Sequence, residues 1–403
     1  MVFKTDIEQA YQLQQVNLLQ QHGLITRTYM QKISLAPSIK HIEVISGVRR
    51  CGKSTFLKQI MLQYTEFAYF NFEDARIFGF DVSDFQKLDE VIGTGKNAYF
   101  FDEIQNVIAW EIFVRQLHDR GEKVYITGSN ASLLSKDLGT RLTGRHIGHE
   151  LFPFSYPEYL LLKNQENNST SFEDYLQKGG FPEYLNFERT EVLQSLLKDI
   201  VYRDIAIRYN IKNTKSLMDI TLFLISNVGK EFTFNRIRNT FSIGSANTVS
   251  DYLSWLQDSY LFFFLSRFSW SPKSIAMNPR KVYAIDNGMV NENSLSFSKD
   301  KGRLLENAVF IHLRRIYSTI FYFREKGECD FVVIKNDRSI ILLQVCLEVL
   351  GENKDREING LMEAMEFFNL SEGIIVTLNQ TDSFVVNSKQ IHLIPGYIFM
   401  TME

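Results

Sequence analysis

Three short stretches of this 403-residue chain hold side chains whose types and spacing could handle a phosphate. The first is Gly47-Val48-Arg49-Arg50-Cys51-Gly52-Lys53-Ser54, a complete G-x-x-x-x-G-K-[ST] pattern, with Thr55 after it. A glycine-rich turn of this kind aims successive backbone N–H groups and a helix N-terminus at a phosphate. Lys53 then reaches the β- and γ-phosphates, and the Ser54 hydroxyl is a ligand for Mg²⁺. The second stretch is Asp102-Glu103, two acids that close the apolar run Ala98-Tyr99-Phe100-Phe101. An aspartate there holds Mg²⁺ together with Ser54, and Glu103 is placed to polarise a water for attack on the γ-phosphate. The third is Thr127-Gly128-Ser129-Asn130, where Asn130 or Ser129 is placed to hold that water. Ser and Asn also favour helix N-caps, and the two roles are compatible.

These residues need elements that bring them together. Ile42, Val44 and Ile45 make a short apolar strand before the glycine loop, and 55–64 has helical spacing after it. Residues 41–155 alternate strand and helix, which predicts a parallel sheet covered on both faces. The strands are expected near 42–46, 67–72, 98–102, 123–127 and 147–152, behind a helical lead-in over 5–40. A helix over 132–142 precedes Thr143-Gly144-Arg145. Ring-forming ATPases place an arginine at this point to reach a neighbour's nucleotide, which requires a homo-oligomer. Arg141 and Arg145 are both candidates, and Arg145 lies closer to the strand.

Composition narrows the class. The chain is 45% apolar and 23% charged, ordinary values for a globular protein of two or three domains. Phe (33) and Tyr (18) are abundant, which suggests aromatic cores. A net charge of −3 excludes a generic polyanion binder, so contact with DNA would need a local basic patch. Cys51, Cys329 and Cys346 have neither metal-ligand nor disulfide spacing, which fits a reducing cytoplasm. The start of the chain does not read as a signal peptide, and the longest apolar run, near 260–265, is too short for a membrane span. Cys51 fits the loop as a small residue, although a helix N-terminus can lower a thiol pKa there. His146 and His149 are three apart on a strand and face opposite ways, which argues against a metal site. No N-K-x-D guanine-reading motif follows, so ATP is favoured over GTP.

Together, GVRRCGKST, FFDE, TGSN and LTGR resemble the AAA+ ATPases of the prokaryotic archaeal-ATPase/STAND-related branch. Gly179-Gly180-Phe181-Pro182-Glu183-Tyr184-Leu185 extends the resemblance. In that branch a G-x-P element of the helical lid packs near the nucleotide base, which points to Gly180 and Pro182; a turn with Pro at a first helical position is the plainer reading. Val201-Tyr202-Arg203-Asp204 also looks family-like, without an assignable chemistry. A polar loop over 163–171 separates sheet from lid.

The remainder divides into 161–266, read as lid and winged helix, and 267–403, read as a further α/β unit. Leu217, Ile220, Leu224 and Val228 form one helical face. Residues 232–241 make a second helix, and Ser245 caps a third that carries Val249, Tyr252, Leu253 and Leu256. That third helix has Asp251 and Asp258 and no Lys or Arg over 245–258, so packing or protein contact is favoured over DNA reading. In the last unit a strand is expected at 281–285, a helix at 304–317, strands at 320–324, 329–334 and 340–347, a helix at 356–368 and a strand at 373–378. Glu306, Asp330 and Gln344 resemble the helix acid, the aspartate and the E/Q position of restriction-endonuclease-like (PD-(D/E)xK) nucleases. Cys346 stands where those enzymes carry a lysine, which implies a degenerate fold. Lys299, Lys301, Arg303, Arg314, Arg315, Arg324 and Lys326 make the region locally basic, so DNA stays open as a partner. The resemblance implies a cytoplasmic, ATP- and Mg²⁺-dependent switch that positions these later parts against a partner. An ATP-gated nuclease and a slow nucleotide-sensing scaffold are the alternatives.

Overall fold

In a computed structural model, residues 1–18, 25–33, 41–131, 142, 144–296, 300–351 and 353–402 are described. Arg141, Lys299 and nearly all of the expected 132–142 helix lie outside them. The chain divides into two compact units, Met1–Phe152 and Pro153–Glu403.

The first unit is built on five parallel strands: β1 (Ile42–Ser46), β2 (Phe67–Asn71), β3 (Ala98–Asp102), β4 (Val124–Gly128) and β5 (His146–Glu150). Their order is β2-β3-β4-β1-β5. Every residue of β1, β3 and β4 is buried, as expected where helices cover both faces of a parallel sheet. The helices Lys53–Met61, Phe85–Ile92 and Trp110–Asp119 complete the alternation. Register brings the C-terminal ends level: Ser46 lies opposite Gly128, and Asn71 opposite Asp102. Phe85 stacks on Phe113 with ring centroids 4.5 Å apart, and Phe100 on Tyr125 at 4.8 Å.

The lead-in is an α-helix, Lys4–Leu18, followed by a short 3₁₀ turn, Thr28–Lys32. Ile7 and Ala10 enter the core. Gln14 Oε1 accepts from Asn71 N at 2.8 Å, and Gln15 Nε2 donates to the Tyr69 carbonyl at 2.9 Å. Two glutamines thus satisfy backbone groups on the open edge of β2, which would otherwise invite pairing with another chain.

The second unit begins with the helices Tyr156–Lys163, Ser169–Lys178, Pro182–Phe187 and Thr190–Lys198. A π-helical stretch, Asp199–Ile207, follows and contains the Val201–Asp204 motif. Next come the helices Thr214–Ile225, Phe234–Thr240 and Ala246–Asp258, the last capped by Ser245 as its sequence predicts. With them run β6 (Glu231–Phe232), β7 (Phe262–Ser266) and β8 (Arg280–Ala284), an antiparallel sheet ordered β6-β8-β7. The strand expected near 281–285 therefore joins β6 and β7, with Ala284 opposite Phe262, instead of the last sheet.

That last sheet has six strands: β9 (Thr319–Arg324), β10 (Glu328–Ile334), β11 (Ile340–Val345), β12 (Glu372–Thr377), β13 (Asp382–Val386) and β14 (Lys389–Pro395). Their order is β13-β14-β12-β11-β10-β9; β9, β10 and β11 are antiparallel neighbours, whereas β12 is parallel to both β11 and β14. The helices Lys301–Ile316 and Lys354–Phe367 flank the three antiparallel strands in sequence. Among the described residues, no helix is long and apolar enough to cross a membrane.

Candidate functional site

The loop after β1 turns through two left-handed residues, Arg50 at φ 63° and Gly52 at φ 101°. Glycine is required at 47 as well, because a Cβ there would lie 2.1 Å from the Leu151 carbonyl oxygen. Lys53 opens the following helix and is buried. Its Nζ donates to the Gly47 and Val48 carbonyls, both at 3.1 Å, and lies 3.8 Å from Glu103 Oε1. Val48 is buried, and Arg49 pairs with Glu73 at 3.7 Å. Cys51 is buried and donates to the Leu151 carbonyl at 3.3 Å. Burial pushes its thiol up despite the neighbouring Lys53 and Arg27, so Cys51 fits the turn as a small residue and not as an activated thiolate.

Asp102 ends β3 fully buried, beside the last residues of β4. Its carboxylate accepts from the Thr127 hydroxyl, from Tyr69 OH at 3.1 Å and from Ser54. Burial, reinforced by Glu103, raises it. An oxygen pair formed by Ser54 and Asp102 fits a hard cation such as Mg²⁺. Glu103 takes a left-handed conformation at φ 52°, which turns it out of the strand. Its N–H donates to Thr127 Oγ1 at 3.0 Å, and its carboxylate accepts from the Gln105 amide, which also lies 3.4 Å from Ser129 Oγ. Ser129 and Asn130 are buried at the end of β4. The geometry thus brings Lys53, Ser54, Asp102, Glu103 and the Thr127–Asn130 turn to one end of the sheet.

Arg145 is not among them. Its carbonyl accepts from Ile42 N at 2.8 Å, at the start of β1, and its guanidinium lies 3.3 Å from Asp119. That is about 16 Å, one five-residue strand, from the loop end of β1. His149 is buried, with Nε2 2.6 Å from Glu43 Oε2, and Lys123 Nζ takes the other Glu43 oxygen at 2.6 Å. This buried triad carries no pattern in the sequence. Among the described residues no group of three or more His, Cys, Asp or Glu side chains is arranged to hold a metal.

Comparison with known proteins fits this geometry. Residues 40–160 match the AAA domain family, and residues 169–300 match a domain of unknown function, DUF8612. An uncharacterized protein of Methanocaldococcus jannaschii is 36% identical over 395 residues, covering 90% of this chain and 88% of its own. The chain belongs to this AAA-domain family. A second member, an uncharacterized protein of Haemophilus influenzae, is 33% identical over 352 residues, covering 81% of this chain and 88% of its own. Among solved structures, the AAA-domain chain is similar to a Walker-type ATPase of Pyrococcus abyssi (13% identity, 62% of this chain and 90% of that one, TM-score 0.38). It is also similar to a STAND protein with a tetratricopeptide-repeat sensor from Pyrococcus horikoshii (16% identity, 73% and 46%, TM-score 0.30).

In the second unit of the AAA-domain protein, Pro182 is the first residue of its helix. The two glycines before it are fixed by local packing. Gly180 N donates to the buried Asp286 carboxylate at 2.5 Å, and Phe154 N donates to the Gly180 carbonyl at 2.7 Å. A Cβ on Gly180 would lie 2.1 Å from the Phe154 carbonyl oxygen.

Glu306, Asp330 and Gln344 do converge, around a residue no motif marks. Lys281 of β8 is buried, with Nζ 3.0 Å from Glu306, 2.9 Å from Asp330 and 2.6 Å from Glu328. Burial alone would lower this ammonium, but the carboxylates of Asp330 and Glu306 hold it well above the ordinary lysine range. Three carboxylates share one cation, and burial pushes Asp330 up from the ordinary carboxylate range. Gln344 accepts from Asp330 N at 3.2 Å and donates to Glu357 at 2.7 Å. Cys346 is buried in an apolar cluster, which pushes its thiol up to about 12. Several basic residues of this region are engaged locally: Lys301 with Glu173, Arg303 with Asp300, Arg315 with the Pro153 carbonyl, and Arg324 with Glu231 and Glu328.

Proposed function

We propose that this protein binds ATP and Mg²⁺ and hydrolyses the γ-phosphate as a conformational switch. The observation that carries this is the convergence of Lys53, Ser54, Asp102 and Glu103 at the C-terminal ends of adjacent parallel strands. Residues 47–55 cradle the phosphates through backbone N–H groups, and Lys53 moves from the loop carbonyls to the β- and γ-oxygens. Mg²⁺ held by Ser54 and Asp102 would neutralise charge on the phosphates. Glu103 takes the proton of the attacking water, with Asn130 or Ser129 orienting that water. Arg145 lies a strand length from its own loop, which favours action on the nucleotide of a neighbouring copy.

The later parts act as the output. The helix and strand order over 214–284 supports a winged helix. The helix, three antiparallel strands, helix and parallel strand over 301–377 support a restriction-endonuclease-like fold. Lys281 supports a degenerate one, because its ammonium fills the space between the carboxylates where catalysis would need a metal. We place this output in the cytoplasm, acting on a protein or DNA partner.

The test is Mg²⁺-dependent ATP turnover of wild type and Glu103→Gln, across protein concentration, with and without duplex DNA. Binding is expected to persist in the variant while turnover falls at least about 100-fold. Specific turnover is expected to rise with wild-type concentration and to be lost in Arg145→Ala. Undiminished turnover in Glu103→Gln would remove Glu103 from the chemistry. Tight ATP binding with negligible wild-type turnover would leave a sensing scaffold.

A further inference from the structure

The segment just before β1 is tied to the phosphate loop by a side chain that no motif marks. Residues 25–33 run beside the helix Lys53–Met61. Gln59 on that helix donates to the Ile25 carbonyl at 2.6 Å and accepts from Arg27 N at 3.3 Å. Tyr29 packs edge-on against Phe56, with ring centroids 6.1 Å apart, and against His149 at 5.8 Å. Arg27 is only 3% exposed. One arm of its guanidinium donates to the Cys51 carbonyl at 2.9 Å and another to the Phe152 carbonyl at 2.6 Å.

The Cys51 carbonyl belongs to the peptide whose N–H is that of Gly52. A trans peptide is planar, with its C=O and N–H pointing opposite ways. A cation that fixes this carbonyl therefore fixes the Gly52 N–H on the far side of the plane. The neighbouring carbonyls are committed too: Gly47 and Val48 to Lys53, and Gly52 to Phe56 N at 2.9 Å. The Cys51 N–H is spent on the Val48 carbonyl at 3.3 Å, and Lys53 leaves its carbonyls when it turns to a nucleotide, so the Arg27 contact is the one that still holds the Cys51–Gly52 peptide for an anion. Arg50 at φ 63° is a left-handed conformation that needs such support.

We infer that Arg27 is a positioning residue for the phosphate loop, holding the Cys51–Gly52 peptide so that its N–H faces a bound nucleotide phosphate. This rests on the ATP-binding reading above. Arg27 does not touch substrate; it acts through a main-chain carbonyl.

The experiment uses the full chain as wild type, Arg27→Ala, Arg27→Lys and Lys53→Ala. It reads equilibrium binding of a fluorescent ATP analogue with Mg²⁺, beside thermal unfolding. Arg27→Ala is expected to bind about 10- to 100-fold more weakly, the loss of hydrogen bonds to a charged group. Millimolar guanidinium chloride is expected to restore much of that binding in Arg27→Ala and none in Lys53→Ala, while equal sodium chloride does neither. Arg27→Lys, with one ammonium for two carbonyls, is expected to fall between. If Arg27→Ala does not fold, Arg27→Lys carries the test. A folded Arg27 variant binding within twofold of wild type overturns the proposal. So does a loss in Arg27→Ala that guanidinium does not reverse. Wild type that binds no ATP sinks the parent reading and this one together, whereas wild-type binding with unaffected Arg27 variants sinks this one alone.

Discussion

One hydroxyl ties the two acids of the candidate site together. Thr127 donates to Asp102 and accepts from the N–H of Glu103, so it fixes a carboxylate and the turn that carries its neighbour. Thr127→Val keeps the shape and removes both bonds inside a buried site. It is expected to destabilise the protein by about 1–3 kcal/mol in urea titrations and to lower ATP turnover more than ATP affinity. Unchanged turnover would take Thr127 out of the positioning of Glu103. The motif residues Lys53, Ser54, Asp102 and Glu103 were legible because phosphate chemistry demands those side chains at short, fixed spacing. Arg27 and Lys281 were not. Arg27 is 24 residues from Cys51 and binds main-chain oxygens, which leave no trace in residue identity. Lys281 meets partners 25 and 49 residues away.

At the level of elements, β1 to β4 were readable because strands covered on both faces appear as largely apolar runs with helices between them, whereas β5, His-Ile-Gly-His-Glu and mostly uncovered, has no such run. β8 was readable as a strand but not as a member of its sheet, since an apolar strand looks alike whichever neighbour it pairs with. Its pairing puts Lys281 among acids carried by the helix Lys301–Ile316 and by β10. Lys281→Met is expected to destabilise by about 3–5 kcal/mol, because carboxylates are left buried without their cation. Asp330, already pushed up by burial, then rises further, so the deficit should shrink as pH falls below neutrality; a deficit independent of pH would contradict this. Where two segments approach closely, a single methyl group should suffice to break the contact. Gly47→Ala sets a Cβ 2.1 Å from the Leu151 carbonyl oxygen, and loss of ATP-analogue binding with a lowered melting temperature is expected. Wild-type behaviour would mean that the loop can move aside.

Across the whole chain, buried titratable groups set how stability responds to acid. Burial, with Arg315 nearby, pushes His312 down to about 4. An unfolded histidine takes its proton near pH 6.5, so between about 6.5 and 4 the unfolded state binds more protons and stability falls with pH. Burial pushes Asp286 up to about 6, and in that window it acts the other way, with the folded state taking the proton first. The clean measurement is therefore a difference. Wild type is expected to lose about 3 kcal/mol relative to His312→Phe between pH 7 and pH 4 in denaturant midpoints. A constant gap would show that His312 titrates normally.

The order of the first sheet also has a consequence during synthesis. β1 lies between β4 and β5, and Ile45 is opposite Thr127 on one side and His149 on the other. A ribosome therefore releases the strand that carries the phosphate loop long before either neighbour exists. Both of its edges stay open, in an apolar segment, until nearly the whole first unit has emerged. The Arg27 clasp comes later still, across 125 residues, when Phe152 arrives. Chaperones that shield Ile42–Ser46 should therefore matter most until β4 and β5 have left the ribosome.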